Sequence, residues 1–311
     1  MKTYWVIASR GSKLALWQAR FVQEQISEIF PDFEIKIKII KTLGDTQRSQ
    51  KLWEMGGKGV FTKELEEALL SKEADFAVHS LKDLPTQLPL GLCLGAVPVR
   101  ESPQDVLVSK DHVRFEYLPQ GARVGTSSFR RRSQLLSTRP DLVVEEIRGN
   151  VSTRIKKVYE GPLDAVVLAK AGMIRLGLEE WITQEFAFEE MLPAVGQGAL
   201  AVEIRKDDRE AQELLNPLQD EDLFCATGAE RAFLDCLGGG CRLPIAAYGE
   251  VAGDELSLEG LVATPDGKKI IRKKIFGNKS DFEKLGKQLA QSMLEEGASK
   301  MIHRSRDSSF F

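Results

Sequence analysis

Residues 6–39 read VIASRGSKLALWQARFVQEQISEIFPDFEIKIKI, and their pattern changes twice along the stretch. A short apolar run over 6–8 is typical of a buried strand, and apolar side chains then recur at helical spacing up to Pro31. From Phe33 to Ile39 apolar and polar residues alternate, which predicts a half-buried strand. The stretch therefore predicts a strand, a helix and a second strand, the opening unit of a parallel or mixed α/β sheet.

The same alternation continues through the middle of the chain. The pattern predicts further helices over 61–72, 128–137 and 151–159, and strands over 75–79, 106–108, 123–125, 143–144 and 164–168. Two such α/β halves are expected to face each other across a cleft, with ligands at the carboxyl ends of the strands. Residues 42–59 are polar, and the segment is longer than the ~12–15 residues usual for a structureless loop, which favours a mobile lid.

The C-terminal part of the chain changes character. A helix over about 222–237 leads into a Gly-rich segment, and strand patterns follow over 245–251, 256–263 and 269–276. Pro265-Asp266-Gly267 has the composition of a turn between the last two strands, and 282–295 predicts an amphipathic helix. These elements predict a separate, smaller α+β domain.

Composition excludes several classes of protein. The 311 residues suggest two domains and allow three, and 42% hydrophobic with 29% charged residues is typical of a folded globular chain. A net charge of −3 gives no overall basic field for nucleic acid, so any anion site must be local. No apolar run is long enough to span a membrane, and Arg10 comes too early for a signal peptide, so we expect a cytoplasmic protein.

Cysteine and histidine are sparse. The four cysteines are irregularly spaced, which argues against a disulfide framework, and no Cys or His spacing indicates zinc. We therefore expect no metal. Of the three histidines, His79 is expected to lie in the core with a hydrogen-bonded ring nitrogen.

Residues 123–132, RVGTSSFRRR, combine a strand end, a hydroxyl-rich turn and the first turn of a helix. Backbone N–H groups, hydroxyls and guanidinium groups converge there into a possible anion site. An ordinary N-cap followed by solvated arginines explains the segment equally well. Three consecutive arginines fan over about 200° of helix surface, so only two are expected to face one ligand.

Two other positions could carry chemistry. Asp83 follows a predicted strand, and the adjacent Lys82 favours its ionised form, so its carboxylate could stabilise a cation; a simple loop ion pair is the alternative. Cys241 follows three glycines and precedes Arg242, a cation that favours the thiolate. Without a partner histidine, Cys241 resembles an attachment point more than a nucleophile, although burial as a small apolar side chain is the usual fate of a lone cysteine.

Taken together, the motifs closely resemble the porphobilinogen deaminase (hydroxymethylbilane synthase) family. They occur in the family's order over almost the whole chain: 8–19 (ASRGSKLALWQA), 56–61 (GGKGVF), 77–83 (AVHSLKD), 124–131 (VGTSSFRR), 147–150 (IRGN), 192–199 (LPAVGQGA) and 239–241 (GGC). The resemblance implies three α/β domains, two of them similar to the lobes of type II periplasmic binding proteins and a smaller C-terminal α+β domain. By position these domains are 1–98 with 199–216, 104–192, and 221–311, the chain crossing back to the first near Gly198.

The resemblance also implies a transferase that joins four porphobilinogens head to tail onto a covalent dipyrromethane primer, releases ammonia and hydrolyses off hydroxymethylbilane. Cys241 would carry this cofactor through a thioether, and Asp83 would bind the pyrrole N–H groups and stabilise developing positive charge. Other cofactor-binding residues would be Ser12, Lys82, Thr126, Ser127, Ser128, Arg130, Arg131 and Arg154. The resemblance further implies that Arg10, Arg148 and Gln197 bind substrate and that Lys58 and Phe61 flank the lid.

The chain departs from the family pattern at Glu54 and Gly238, and both departures concern loops and leave the implied reaction unchanged. Arg132 and Cys236 lie outside the pattern and are interpreted as solvated and structural, respectively. The competing class is a two-lobed solute-binding or effector-sensing module for a small polyanion, which leaves the Gly-Gly-Cys segment without a role. Nothing in the sequence requires an oligomer, so we expect a monomer that binds porphobilinogen but neither nucleic acid nor membrane.

Overall fold

The computed structural model describes residues 2–43, 62–238 and 243–307, with side chains as far as 302. In chain order the strands are β1 Tyr4–Arg10, β2 Glu34–Ile40, β3 Phe76–Ser80, β4 Leu92–Ala96, β5 Asp105–Ser109, β6 Arg123–Gly125, β7 Val143–Glu145, β8 Ala165–Ala169, β9 Gln184–Glu185, β10 Leu200–Arg205, β11 Ile245–Ala252, β12 Glu255–Ala263 and β13 Ile270–Asn278. The α-helices are α1 Lys13–Ile29, α2 Lys63–Leu70, α3 Phe129–Thr138, α4 Val151–Tyr159, α5 Lys170–Ile174, α6 Arg209–Leu215, α7 Glu221–Cys236, α8 Phe282–Glu295 and α9 Ala298–Asp307.

The chain forms two compact units. Unit 1 comprises residues 1–101 and 199–224, and unit 2 comprises 102–198 and 225–311. Within the segments that the structure describes, no helix is long and apolar enough to cross a membrane.

Unit 1 is built on a five-stranded mixed sheet in the order β2-β1-β3-β10-β4. β1 is parallel to β2 and β3, whereas β10 pairs antiparallel with β3 and β4. The Oγ of Ser12 caps α1 by accepting a hydrogen bond from the Ala15 amide, and α1 packs Val22 and Ile26 into the core against this sheet. The strand–helix–strand unit predicted from residues 6–39 is therefore confirmed.

The first sheet of unit 2 repeats this arrangement in the order β7-β6-β8-β5-β9. β6 is parallel to β7 and β8, and β5 pairs antiparallel with β8 and β9. Buried side chains line both faces, with Leu107 and Val124 in one core cluster and Val106 and Val166 in the other. In unit 2 the antiparallel strand is β5, the first strand after the chain enters the unit. In unit 1 it is β10, which forms after the chain returns to that unit.

The smaller part of unit 2 is a three-stranded antiparallel sheet, β11-β12-β13, covered by α7 and α8. Phe233 and Leu289 from these helices pack on Leu258 of the middle strand. The turn between β12 and β13 packs closely against α3, because a Cβ on Gly267 would lie 2.3 Å from the Ser133 carbonyl oxygen. The fold is thus a mixed α/β fold with two sheet-and-helix lobes and a smaller α+β part, as the sequence predicts.

Pattern alone missed two strands of unit 1, β4 and β10. β10 reads LAVEIR, yet all six residues are buried, including Glu203 and Arg205. Because Glu203 pairs with His79 and Arg205 with Asp75, both distant in the chain, no local alternation of apolar and polar residues marks the strand. The boundaries of the three domains stay a prediction.

Candidate functional site

The loop between β6 and α3 contains the hydroxyl groups of the predicted anion motif. Ser128 is the N-cap of α3, and its Oγ accepts a hydrogen bond from the Arg131 amide at 3.4 Å. Thr126 Oγ1 accepts one from the Ser128 amide at 3.2 Å. Ser127 Oγ donates to the Ile147 carbonyl at 2.6 Å and accepts from the Ile147 amide at 3.1 Å. The hydroxyls therefore shape the start of α3, as the N-cap interpretation predicts.

Arg130 and Arg131 turn inward, so the solvated-arginine interpretation is wrong for both. Their side chains are 5% and 8% exposed and bind the fully buried carboxylate of Asp105 at the start of β5. Arg130 Nη1 donates to Oδ2 at 2.6 Å. Arg131 donates to Oδ1 from Nε at 3.0 Å and from Nη2 at 2.7 Å. Two guanidinium charges against one carboxylate leave this buried cluster with one positive charge.

The two guanidinium charges beside one carboxylate determine the electrostatics of the cluster. Burial by itself would raise the pKa of Asp105, but the adjacent charges of Arg130 and Arg131 outweigh it and hold that pKa well below its ordinary value. Burial lowers the pKa of Arg130, and Asp105 opposes this shift. Arg130 Nε is buried and has no hydrogen-bond acceptor among the described residues. An unpaired N–H in a cluster of net positive charge is suited to an oxygen of an anionic ligand.

Gln197 joins the same carboxylate. Its Nε2 donates to Asp105 Oδ1 at 3.0 Å and to the Pro103 carbonyl at 2.7 Å, and its side chain is buried. Gln134 of α3 is also buried: it donates to the Leu192 carbonyl at 3.1 Å and accepts from the Leu192 amide at 2.8 Å. Three residues that the sequence assigned to binding, Arg130, Arg131 and Gln197, thus meet at one buried aspartate.

Arg148 and Arg154 lie on either side of a glycine. Gly149 has φ +112°, a conformation that side-chain-bearing residues rarely adopt, and it precedes Asn150, the N-cap of α4. Arg154 Nε donates back to the Gly149 carbonyl at 2.8 Å. Arg148 is half-buried, and its Nε contacts Glu146 Oε1 at 3.3 Å. Neither arginine is bonded to Asp105.

In unit 1, predicted site residues lie at the carboxyl edge of two parallel neighbours, β1 and β3. Arg10 ends β1, Ser12 is the N-cap of α1, and Lys82 and Asp83 follow β3 in a short 3₁₀ turn. Asp83 is exposed, and among the described residues it makes no ion pair. The loop ion pair considered for this carboxylate is therefore not observed, and the charge faces solvent at the edge where such sheets bind ligands.

His79 lies in the core, as predicted. Its Nε2 contacts Glu203 Oε2 at 3.0 Å, and both side chains are almost fully buried. Glu66 of α2 is also buried, with Oε1 lacking a partner among the described residues. Burial, opposed in part by Thr62 and reinforced by the charge of Glu203, raises the pKa of Glu66.

Several expectations need correction or lie beyond the described residues. Arg132, expected to be solvated, is half-buried and its Nη1 donates to the Val144 carbonyl at 3.0 Å. Cys236, interpreted as structural, is an exposed free cysteine. The predicted attachment residue Cys241, the lid residues Lys58 and Phe61, nearly all of the predicted lid, and the departure at Glu54 lie outside the described residues.

Sequence reasoning missed Asp105, the residue that organises the site in unit 2. The only local signal is an acidic residue immediately before the apolar run Val106-Leu107-Val108, which is unusual at the start of a buried strand. In the parts of the chain that the structure describes, no group of three or more His, Cys, Asp or Glu side chains could hold a metal ion.

Two family models together match most of the chain. Residues 5–213 match the family model "Porphobilinogen deaminase, dipyromethane cofactor binding domain", and 224–295 match "Porphobilinogen deaminase, C-terminal domain". These matches make the chain an enzyme of tetrapyrrole biosynthesis, a transferase that uses a dipyrromethane cofactor.

Curated relatives agree over nearly the full length. The porphobilinogen deaminases of Pelotomaculum thermopropionicum and Carboxydothermus hydrogenoformans are each 49% identical over 306 residues, covering 98% of this chain and 98% of theirs. That of Desulforamulus reducens is 47% identical over 98% of this chain and 99% of its own. The chain belongs to the porphobilinogen deaminase family, which supports the enzyme over the solute-binding alternative.

The similarity to solved structures is much weaker. The methionine binding protein MetQ is 10% identical with a TM-score of 0.44, over 71% of this chain and 92% of its own. A lipoprotein of the YaeC family from Enterococcus faecalis is 16% identical with a TM-score of 0.42, over 70% of this chain and 91% of its own.

Proposed function

We propose that this protein joins four porphobilinogen molecules head to tail onto its dipyrromethane cofactor, releases ammonia at each addition and hydrolyses off hydroxymethylbilane. The observation that carries the proposal is the buried cluster of Arg130, Arg131 and Asp105. It holds a fixed positive charge and an unpaired guanidinium N–H within the part of the chain that matches a cofactor-binding domain. When bound, the dipyrromethane supplies a covalent primer for the growing chain.

The chemistry of the cofactor fits the residues present. Each pyrrole unit bears an acetate and a propionate, so the primer and every added unit bring carboxylates that need cationic hydrogen-bond donors. The orphaned Nε of Arg130 is such a donor. The residues that would hold the cofactor are Ser12, Lys82, Thr126, Ser127, Ser128, Arg130, Arg131 and Arg154, and Cys241 would carry it through a thioether.

Asp83 is proposed as the catalytic carboxylate. Loss of ammonia from porphobilinogen creates positive charge on the reacting pyrrole. An oriented carboxylate stabilises this charge and accepts a hydrogen bond from the pyrrole N–H. Asp83 is exposed at the edge of the unit 1 sheet and makes no ion pair among the described residues, so its charge is available. Arg10, Arg148 and Gln197 would guide the incoming substrate, and Lys58 and Phe61 would flank the lid.

The cofactor assignment is tested by intact mass. The purified protein should weigh more than its sequence by two porphobilinogen units less the ammonia lost, and should give a colour reaction with Ehrlich's reagent. Cys241→Ala should abolish both. Cys236→Ala is the matched control, because this exposed cysteine should leave both signals unchanged. A fully active wild-type protein of unmodified mass would contradict the assignment.

A monomeric state and a cytoplasmic location complete the proposal. The near-neutral composition, with a net charge of −3, supports a freely diffusing protein rather than one held on a nucleic acid. Size-exclusion chromatography with light scattering tests the monomer: a mass of one chain supports it, and a mass of two or more chains contradicts it.

A further inference from the structure

We propose that Asp105 is the positioning residue of the anion site, and that it makes Arg130 the arginine that meets a cofactor carboxylate while Arg131 serves as an anchor. The inference rests on the proposed function, since it assumes that this cluster binds the cofactor. It refines the sequence-based expectation, in which the two arginines have equal roles.

The hydrogen bonds of the two arginines are unequal. Arg131 directs both Nε and Nη2 to Asp105 Oδ1, at 3.0 and 2.7 Å, and Nη1 to the Val167 carbonyl at 2.8 Å. Arg130 uses only Nη1, which donates to Asp105 Oδ2 at 2.6 Å and to the Leu192 carbonyl at 2.8 Å. Arg131 therefore uses its Nε and Nη2 in hydrogen bonds within the protein, whereas Arg130 makes no such bond on its Nε side among the described residues.

The unused side is the one that carboxylates prefer. Nε and the neighbouring Nη2 form a fork that matches the two oxygens of a carboxylate. Arg130 Nε is buried and no described residue accepts its proton. An unmade hydrogen bond on a buried charged group is unfavourable, and a carboxylate oxygen of the ligand at Arg130 Nε would supply the missing acceptor.

Asp105 is placed to fix this orientation before any ligand arrives. Its side chain is 0% exposed, and its backbone pairs with Ala169 of β8 and accepts the Phe186 amide at 3.0 Å. Consecutive residues of a helix point about 100° apart, and Arg130 and Arg131 approach the one carboxylate through different nitrogens. A carboxylate on a rigid central strand therefore sets which face of each guanidinium remains available.

A second buried aspartate–arginine pair provides the contrast. In unit 1, Arg205 Nη2 contacts Asp75 Oδ1 at 3.2 Å, and Arg205 Nη1 donates to the carbonyls of Leu69 and Ala74 at 2.9 and 2.6 Å. Among the described residues, no buried nitrogen of Arg205 lacks an acceptor. Asp75 precedes β3, at the end of the strand opposite Asp83, so this pair has the features of a structural ion pair.

The test compares Asp105→Asn with Asp75→Asn, the same substitution at two buried aspartates that pair with arginine. In full-length purified protein, intact mass gives the fraction that carries two pyrrole units, before and after exposure to porphobilinogen. Asp105→Asn should lower the rate of loading at least about tenfold, the scale of a lost charge-assisted hydrogen bond, whereas Asp75→Asn should load within about twofold of wild type. Melting temperature should fall in both variants.

A charge-preserving variant separates positioning from general damage. Asp105→Glu, which keeps the charge, should recover part of the loading. Equal loading of Asp105→Asn and Asp75→Asn would overturn the inference while leaving the proposed function intact. A wild-type protein without the two-pyrrole mass would instead contradict the proposed function.

A lysine pair keeps the inference testable if Asp105→Asn does not fold. Arg130→Lys retains a charge beside Asp105 but removes the Nε–Nη2 fork, so it should impair loading more than Arg131→Lys does. The reverse order, or equal impairment, would assign the ligand to Arg131 or to both arginines and would overturn the inference.

Discussion

The two lobes have the same sheet topology and each buries a carboxylate on its antiparallel strand, but the partners differ. In unit 2, Asp105 at the start of β5 meets two arginines. In unit 1, Glu203 on β10 meets His79 at 3.0 Å. Equivalent strands of a repeated scaffold thus carry a cluster with net positive charge in one lobe and a carboxylate–imidazole pair in the other. The two carboxylates lie at different points along the strand, because Asp105 pairs with Ala169 at the end of β8 and Glu203 with Ala77 near the start of β3.

The difference separates what the scaffold provides from what the side chains provide. A similar sheet can house either cluster, because only the side chains that reach the buried carboxylate decide the sign of the local charge. The cluster in unit 2 has a donor to offer an anion, while unit 1 adds a second buried carboxyl, Glu66, beside its pair. If the proposed roles hold, carboxylate binding should depend on unit 2 and cation stabilisation on unit 1.

The largest effect is expected when the arginines of unit 2 are removed. Arg130→Leu should leave mostly apo-protein, because the primer loses its donor and Asp105 loses a partner. Arg148→Leu, outside that cluster, should keep at least part of the cofactor and stall during elongation. Intact mass after exposure to porphobilinogen counts the bound pyrrole units. Full loading of Arg130→Leu would contradict the proposal that unit 2 binds the carboxylates of the cofactor.

Asp83→Asn tests the role of unit 1. The substitution keeps the shape but removes the charge, so turnover should fall at least ~100-fold, the scale seen when an oriented electrostatic group is removed. Melting temperature should change little, since Asp83 is exposed and makes no ion pair among the described residues, and turnover is compared per loaded molecule. Near-normal turnover of the loaded variant would remove Asp83 from the catalytic role.

The buried carboxyl groups predict opposite pH dependences for the two lobes. Asp105 has a lowered pKa, so its contribution to stability is present above its ordinary value of 3.8 and is lost as the pH falls toward the folded-state pKa. Glu66 has a raised pKa, so its contribution is present below its ordinary value of 4.5 and is lost as the pH rises through the folded-state pKa.

Glu66→Gln should therefore gain stability relative to wild type as the pH rises from about 4 to 7. The exposed neighbour Glu67 supplies the control, and Glu67→Gln should show no comparable gain. Melting temperatures measured across this range for the three proteins check the prediction. A constant difference between Glu66→Gln and wild type would mean that Glu66 titrates normally.

The smallest effect is expected at Arg132. The sequence predicts a solvated Arg132, but the half-buried side chain donates to the Val144 carbonyl at 3.0 Å. Loss of that bond should cost about 1 kcal/mol in unfolding free energy, with normal cofactor loading. Chemical denaturation and intact mass measure the two quantities. Loss of cofactor in this variant would mean that the predicted helix face is wrong.

The sequence by itself determined the elements whose stability is local. The helical spacing before Pro31, the alternation from Phe33 to Ile39 and the polar turn before β13 each depend on residues close in the chain, so the strand–helix–strand unit and the small α+β part could be predicted. The ordered series of motifs likewise identified the family and its candidate residues. Cys241 and Asp83 were found in this way, and their roles stay predictions.

Tertiary structure alone decided where the charged side chains point. RRR at 130–132 is one run in the sequence, yet Asp105 draws Arg130 and Arg131 into the core, while Arg132 is half-buried against Val144. β10 was invisible to pattern because the partners that allow its polar residues to be buried lie far away in the chain. Burial of a charge depends on an oppositely charged or hydrogen-bonding partner, and when that partner is distant in sequence no local pattern records it.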